Sequence, residues 1–182
     1  MERTKQSTNE PRILTNDPSF TAWGWAILSG NGKVHKTGCI KTTPEQKKRR
    51  IRTSDDRTRR TIEIVQVLIQ LIKDHNIQFI LSEAPHGSQN AQAAVMIGIV
   101  TGVTTAIAEC FNIPIEYYSE QDSKKCVLNK RSATKEEMID AVSKLYDVKW
   151  TGVSYKDEAV ADALAVHYVA SKQSQLLKMI NK

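Results

Sequence analysis

Apolar and polar positions change period along this chain, and each change marks an element. Arg12-Ile13-Leu14-Thr15-Asn16 is a short run closed by Asp17-Pro18, which predicts a first strand. Thr21 to Leu28 predicts a second, with Trp23 and Trp25 on one face as core or sheet-face residues. Ser29-Gly30-Asn31-Gly32-Lys33 reads as a hairpin turn into a third strand, Val34 to Ile40. A polar, basic segment from Lys41 to Arg60 precedes a helix whose apolar residues Ile64, Val67, Leu68, Leu71 and Ile72 recur at helical spacing. The apolar run Ile77 to Leu81 suits a buried central strand, with Glu83 at its C-terminal end. A helix from Asn90 to Cys110 and a fifth strand from Ile113 to Tyr118 follow. The rest predicts helices near Ser123 to Leu128, Thr134 to Tyr146 and Asp157 to Lys178, the second opened by the capping-box pair Thr134 and Glu137.

The order βββαβαβα is that of the ribonuclease-H-like fold. The expected class is therefore α/β, a five-stranded mixed sheet with helices on both faces. A chain of 182 residues suits one domain, expected over residues 12–182, with residues 1–11 as a loose polar tail. A fold of this kind hosts many activities, so function must be argued from the site.

The formal charge of +6 favours a polyanionic partner. Cys39, Cys110 and Cys126 show no CxxC or Cys/His spacing, which argues against a zinc site or a disulfide framework. The N-terminal residues have no apolar signal region, and no apolar stretch reaches spanning length without polar interruption. The expectation is a soluble cytoplasmic protein, in a bacterium or a phage-infected host, with no membrane partner.

Three acids fall where such a fold brings them together. Asp17 ends the first strand, Glu83 ends the fourth, and Asp162 lies early in the last helix. The C-terminal ends of neighbouring strands form the usual ligand crevice of an open sheet. Carboxylates gathered there repel one another unless a cation neutralises them. Oxygen donors without a Cys/His cluster point to Mg²⁺, with Mn²⁺ able to substitute. A fourth ligand is expected from the helix of Asp162. Glu158, four residues earlier, shares its face, whereas Asp157 lies about 140° round the helix and reads as an N-cap. Such a set suits two-metal hydrolysis of a phosphodiester.

Whole segments resemble the RuvC family of Holliday-junction resolvases. Ile13-Leu14-Thr15-Asn16-Asp17-Pro18-Ser19 with Gly24-Trp25-Ala26-Ile27 resembles the family's opening strand pair, whose Asp is a metal ligand. Thr37 to Thr42 is similar to its third strand, and Ser82-Glu83 with the Ala-rich helix bearing Gly98 and Gly102 to its second acidic motif. Ile113 to Tyr118 resembles the fifth strand, and Lys124 and Ser132-Ala133-Thr134-Lys135 resemble the segments carrying two functional lysines. Asp162-Ala163-Leu164-Ala165 is similar to the final acidic motif. The likeness runs from Arg12 to Val169. It departs at Ala159, where the family usually places its other helix ligand, and at His86, where bacterial members tend to carry Phe.

That resemblance implies a homodimeric, Mg²⁺-dependent endonuclease that resolves branched DNA, leaving 5′-phosphate and 3′-hydroxyl ends. Its catalytic residues would be Asp17, Glu83, Glu158, Asp162 and Lys135, the four acids also holding metal. DNA would be contacted by Lys124, Arg131 and His86, and by the basic run Lys47, Lys48, Arg49 and Arg50, with Arg57, Arg59 and Arg60 beyond it. The helix from Asn90 to Cys110 is apolar nearly all round, so one side is expected on the sheet and another, through Ile97 and Val100, on a second subunit. Two rivals differ in chemistry. A ribonuclease H acting on RNA–DNA hybrids would want an acid on the first long helix, where Glu63 is available. A junction-binding protein that does not cut has its support in the displaced Glu158.

Overall fold

The computed structural model describes residues 10–45, 51–84, 86–130 and 132–180. Strands β1 (Arg12–Asp17), β2 (Ala22–Ser29) and β3 (Val34–Lys41) form an antiparallel meander. Its second turn is closed by Ser29 N–H to the Lys33 carbonyl at 3.0 Å, with Gly32 at φ +86°. Helix α1 (Thr53–His75) leads to β4 (Ile77–Ala84), which lies parallel to β1, and α2 (Ala91–Cys110) leads to β5 (Ile115–Ser119), parallel to β4. Helices α3 (Glu120–Leu128), α4 (Lys135–Leu145), α5 (Ser154–Gln173) and α6 (Gln175–Ile180) complete the chain. The sheet order is β3-β2-β1-β4-β5.

Alternation along the strands builds a core on each face of the sheet. Leu14, Trp23, Trp25, Ile27 and Ile80 pack with Ile64 and Leu68 of α1 and Val100 and Ile107 of α2. On the other face Ile13, Phe79 and Leu81 meet Val166 and Ala170 of α5 and Leu177 of α6. Ala26 and Leu28 meet Val160 and Leu164 of α5 and Val142 of α4 on that same side. Trp23 and Trp25 are thus core residues, and Trp23 donates its indole N–H to Asn16 Oδ1 at 3.1 Å.

Several boundaries move. Helix α1 begins at Thr53, so the last part of the basic segment is helical rather than loop. Arg60 there is buried, bonding Thr42 Oγ1 at 2.9 Å and the Phe20 carbonyl at 3.1 Å and stacking on the Phe20 ring. Arg59 is held by Asp56 and Glu63 at 2.7 and 2.5 Å. Both guanidinium groups are engaged in the fold instead of forming a free DNA clamp. Lys47, Lys48, Arg49 and Arg50, like Arg131, lie outside the described residues.

The expected last helix is two, divided at Ser174, whose hydroxyl accepts from Leu177 N–H at 3.0 Å and starts α6. Asp157 is not an N-cap. The cap position is Val153, and Asp157 lies buried inside the first turn, accepting from Thr151 N–H, Thr151 Oγ1 and Gly152 N–H at 2.8–2.9 Å. Its carboxylate ties down the loop before the helix, both oxygens accepting hydrogen bonds from it.

Helix α2 also corrects an expectation. By length and composition it is apolar enough to cross a membrane, although Val100, Thr104, Ile107 and Ala108 anchor it to the domain. Val100 is a core residue, so the uncovered side is another one, running through Val95, Gly98 and Gly102.

Candidate metal centre at the strand ends

The parallel pairing of β1 with β4 brings two acids side by side. Asn16 faces Ser82 across the ladder, so Asp17 and Glu83 come one step later at the C-terminal ends of their strands. Strand alternation turns both to the face covered by α5, as it does Ile13, Thr15, Phe79 and Leu81. Helix α5 carries Asp162 to that place. It approaches closely because β2 has Gly24, the partner of Asp17 in the ladder, opposite the Ala159 backbone. Thr15 Oγ1 donates to the Ala163 carbonyl at 2.5 Å, pinning the helix next to Asp162.

The three carboxylates are partly buried where β1, β4 and α5 meet, and Asp17 and Glu83 sense the other acids. Asp17 is pushed up to about 8, by burial first and then by the charges of Asp162 and Glu120. Glu83 is pushed up to about 9, again by burial and then by Asp17, Asp162 and Glu120. Asp162 rises to about 6 through burial, with Lys135 and Lys124 pulling the other way. Desolvation and like charge both favour the protonated acids. Among the described residues no three acid, His or Cys side chains are already drawn together at the spacing of a bound ion. A divalent cation fits the chemistry of this donor set: hard oxygen donors, clustered negative charge, and, among the described residues, no ion-pair partner closing on any of the three.

Two ammonium groups flank the acids. Lys135 begins α4, where Thr134 and Glu137 form the expected capping box. Its proton affinity is raised by Glu158 first, and by Asp162 and Asp17 beyond it, so it stands beside the cluster. Lys124, on α3, ion-pairs with Glu120 and lowers the proton affinity of Glu83 and Asp162. His86 lies exposed in the loop after β4, with Nε2 3.6 Å from Glu120 Oε2.

Glu158, expected as the fourth ligand, is engaged by two side chains in this arrangement. Its carboxylate accepts from Lys135 Nζ and, at 2.5 Å, from Ser154 Oγ, and its own proton affinity is lowered by those bonds. It acts on Lys135. Glu63, which a hybrid-cutting site would need, is on α1, ion-paired with Arg59. Glu120 is the acid that sequence pattern misses. With a fifth strand expected to stop at Tyr118 and the next helix to begin at Ser123, Glu120 falls in an unassigned gap. Strand β5 in fact runs through Ser119, and Glu120 opens α3 at the cleft.

The model of the RuvC family, described as crossover junction endodeoxyribonuclease RuvC, matches residues 13–169. A relative of that name from Protochlamydia amoebophila is 26% identical over 174 residues, covering 94% of this chain and 96% of the relative. Another from Ehrlichia canis is 25% identical over 164 residues, covering 86% and 96%. Among solved structures, Thermus thermophilus RuvC in complex with Holliday junction substrate superposes with a TM-score of 0.68 at 19% identity, covering 87% of this chain and 92% of that one. The yeast mitochondrial Holliday junction resolvase Ydc2 superposes with a TM-score of 0.64 at 15% identity, covering 93% and 81%. Both likenesses show the ribonuclease-H-like fold.

Proposed function

Because this chain belongs to the RuvC family of crossover junction endodeoxyribonucleases, we propose that Asp17, Glu83 and Asp162 form the metal-binding centre with which it cuts four-way DNA junctions. It is a junction-resolving endonuclease that acts in DNA recombination and repair. The observation carrying the reading of the site is the convergence of these acids from β1, β4 and α5, each raised in proton affinity by burial, and Asp17 and Glu83 also by the charge of Asp162.

The family uses divalent metal, and the all-oxygen donor set favours Mg²⁺ with Mn²⁺ as a substitute. Asp17, Glu83 and Asp162 would hold the metal, which would supply water activation and charge compensation for phosphodiester hydrolysis to 5′-phosphate and 3′-hydroxyl ends. Lys135 supplies a positive charge where the transition state gathers negative charge, and Glu158 with Ser154 orients that ammonium. Lys124 holds the DNA backbone on the Glu83 side, with Arg131 and the run Lys47 to Arg50 as further phosphate contacts. His86, exposed in the loop after β4, stacks at the branch point on this reading.

A symmetric four-way junction needs two cuts, which suits a two-fold dimer. Helix α2 offers the face, since Val95 is 46% exposed and a methyl group added to Gly98 or Gly102 would meet nothing within 4 Å beyond its own helix. The protein would work on DNA in the cytoplasm of a bacterial or phage-infected cell.

The test is cleavage of a synthetic four-way junction with Mg²⁺, beside linear duplex and RNA–DNA hybrid. Paired nicks in the junction alone are expected. Preferential cutting of the hybrid would move the assignment to ribonuclease H.

A further inference from the structure

Two divalent ions held together draw on more anionic oxygen than Asp17, Glu83 and Asp162 supply, and in this arrangement α5 leaves no further carboxylate unengaged. Position 159 is Ala, Asp157 is tied to Thr151 and Gly152, and Glu158 is held by both Lys135 and Ser154 with its side chain 18% exposed, against 39% for Glu120.

We propose that Glu120, the first residue of α3, is the fourth carboxylate of the metal centre, replacing the side chain missing at Ala159. The proposal rests on the three-acid reading above. Its basis is position: Ser119 pairs with Ala84 and Tyr118 with Glu83, so the chain leaves β5 and enters α3 alongside the end of β4. From there the Glu120 charge reaches all three acids, raising the proton affinity of Asp17, Glu83 and Asp162 alike. Glu158, the alternative, acts on Asp162 alone among the three. An acid in the first turn of a helix is ordinarily a complement to the helix dipole. In α3, Asp122 already serves the N-terminus, accepting from Ser119 Oγ at 2.6 Å, and it is not among the charges that act on Asp17, Glu83 or Asp162.

Glu120 is also free to move. Its present partners are Lys124 Nζ and His86 Nε2, and its side chain is 39% exposed. Ion pairs at such exposure hold little energy, and a divalent cation competes for the carboxylate readily. On this account Glu120 exchanges an ammonium for a metal ion and releases Lys124 toward a DNA phosphate.

The test is calorimetric titration of Mn²⁺ into chelator-treated protein without DNA, comparing wild type with Asp17→Asn, Glu120→Gln, Glu120→Asp and Glu158→Gln. Glu120→Gln should weaken Mn²⁺ binding on the order of tenfold or more, Glu120→Asp by less, and Glu158→Gln hardly at all. Because Glu120→Gln frees the Lys124 ammonium near Glu83, the pair is repeated in a Lys124→Ala background, where the loss should persist. Unchanged Mn²⁺ affinity in Glu120→Gln, or a loss that vanishes without Lys124, overturns the proposal. If Asp17→Asn still weakens binding, the three-acid centre survives that outcome; if Asp17→Asn binds as wild type, the centre itself is wrong.

Discussion

Gly24 lies against Ala159 so closely that a Cβ on the glycine would stand 1.9 Å from the Ala159 carbonyl oxygen. The neighbour is helix backbone, which cannot rotate aside, so the contact fixes how near α5 comes to β2. That same helix carries Asp162 to Asp17. Gly24→Ala should therefore cost about 1–3 kcal/mol of stability by overpacking, and it should remove cleavage more completely than it removes folding. Urea unfolding and junction cleavage on one preparation check this. An alanine variant with wild-type activity would mean that the helix position does not set the site.

Lys135 and Glu158 make a separable pair. Lys135→Ala should lower kcat by about 10²–10³-fold, as loss of a charge placed on a transition state does. Glu158→Gln should lower it less and leave Mg²⁺ affinity intact. Glu158 raises the proton affinity of Lys135, so its removal should also shift the alkaline limb of the rate profile to lower pH. A raised Mg²⁺ requirement in Glu158→Gln would return this acid to the metal.

The acids set a pH dependence of stability with a definite sign. Asp17 and Glu83 titrate near 3.8 and 4.5 when unperturbed and near 8 and 9 in the fold. Between those limits the folded chain binds more protons than the unfolded one, so stability falls as pH rises. Chelator-treated protein should melt lower at pH 9 than at pH 5. Asp17→Asn should reduce that difference, and Mg²⁺ should restore the alkaline melting temperature by binding the ionised acids. Melting temperatures that are equal across this range in chelator, for both wild type and variant, would contradict the electrostatic picture.

The exposed side of α2 predicts association. Val95→Asp should convert a dimer to a monomer in sedimentation velocity, because an unpaired carboxylate in a dry interface is costly. It should leave the fold intact, since Val95 is outside the core. A dimer unaffected by Val95→Asp would place the contact on another surface.

Strand alternation makes Asp17 and Glu83 legible from the sequence, because the run before each fixes both the strand and the face. The capping pair Thr134 and Glu137 likewise places Lys135 at a helix start. Helical spacing puts Glu158 on the face of Asp162 correctly, yet spacing cannot say which side chain competes for a carboxylate, and Lys135 comes from another helix. Asp157 misleads because the bonds it makes run back to Thr151 and Gly152, in a loop whose path no local pattern reveals. Glu120 escapes for a similar reason: the Coulombic reach of a charge is a property of the assembled cleft, and the short polar stretch containing it carries no periodicity.

The most direct measurement is made on Asp17→Asn with a labelled four-way junction and Mg²⁺, following binding and cleavage together. On the proposed reading, removing this carboxylate takes away a metal donor and a negative charge that repels the DNA. The account predicts that the variant binds the junction at least as tightly as wild type while cleavage is lost. Cleavage at the wild-type rate by a folded Asp17→Asn protein would contradict it.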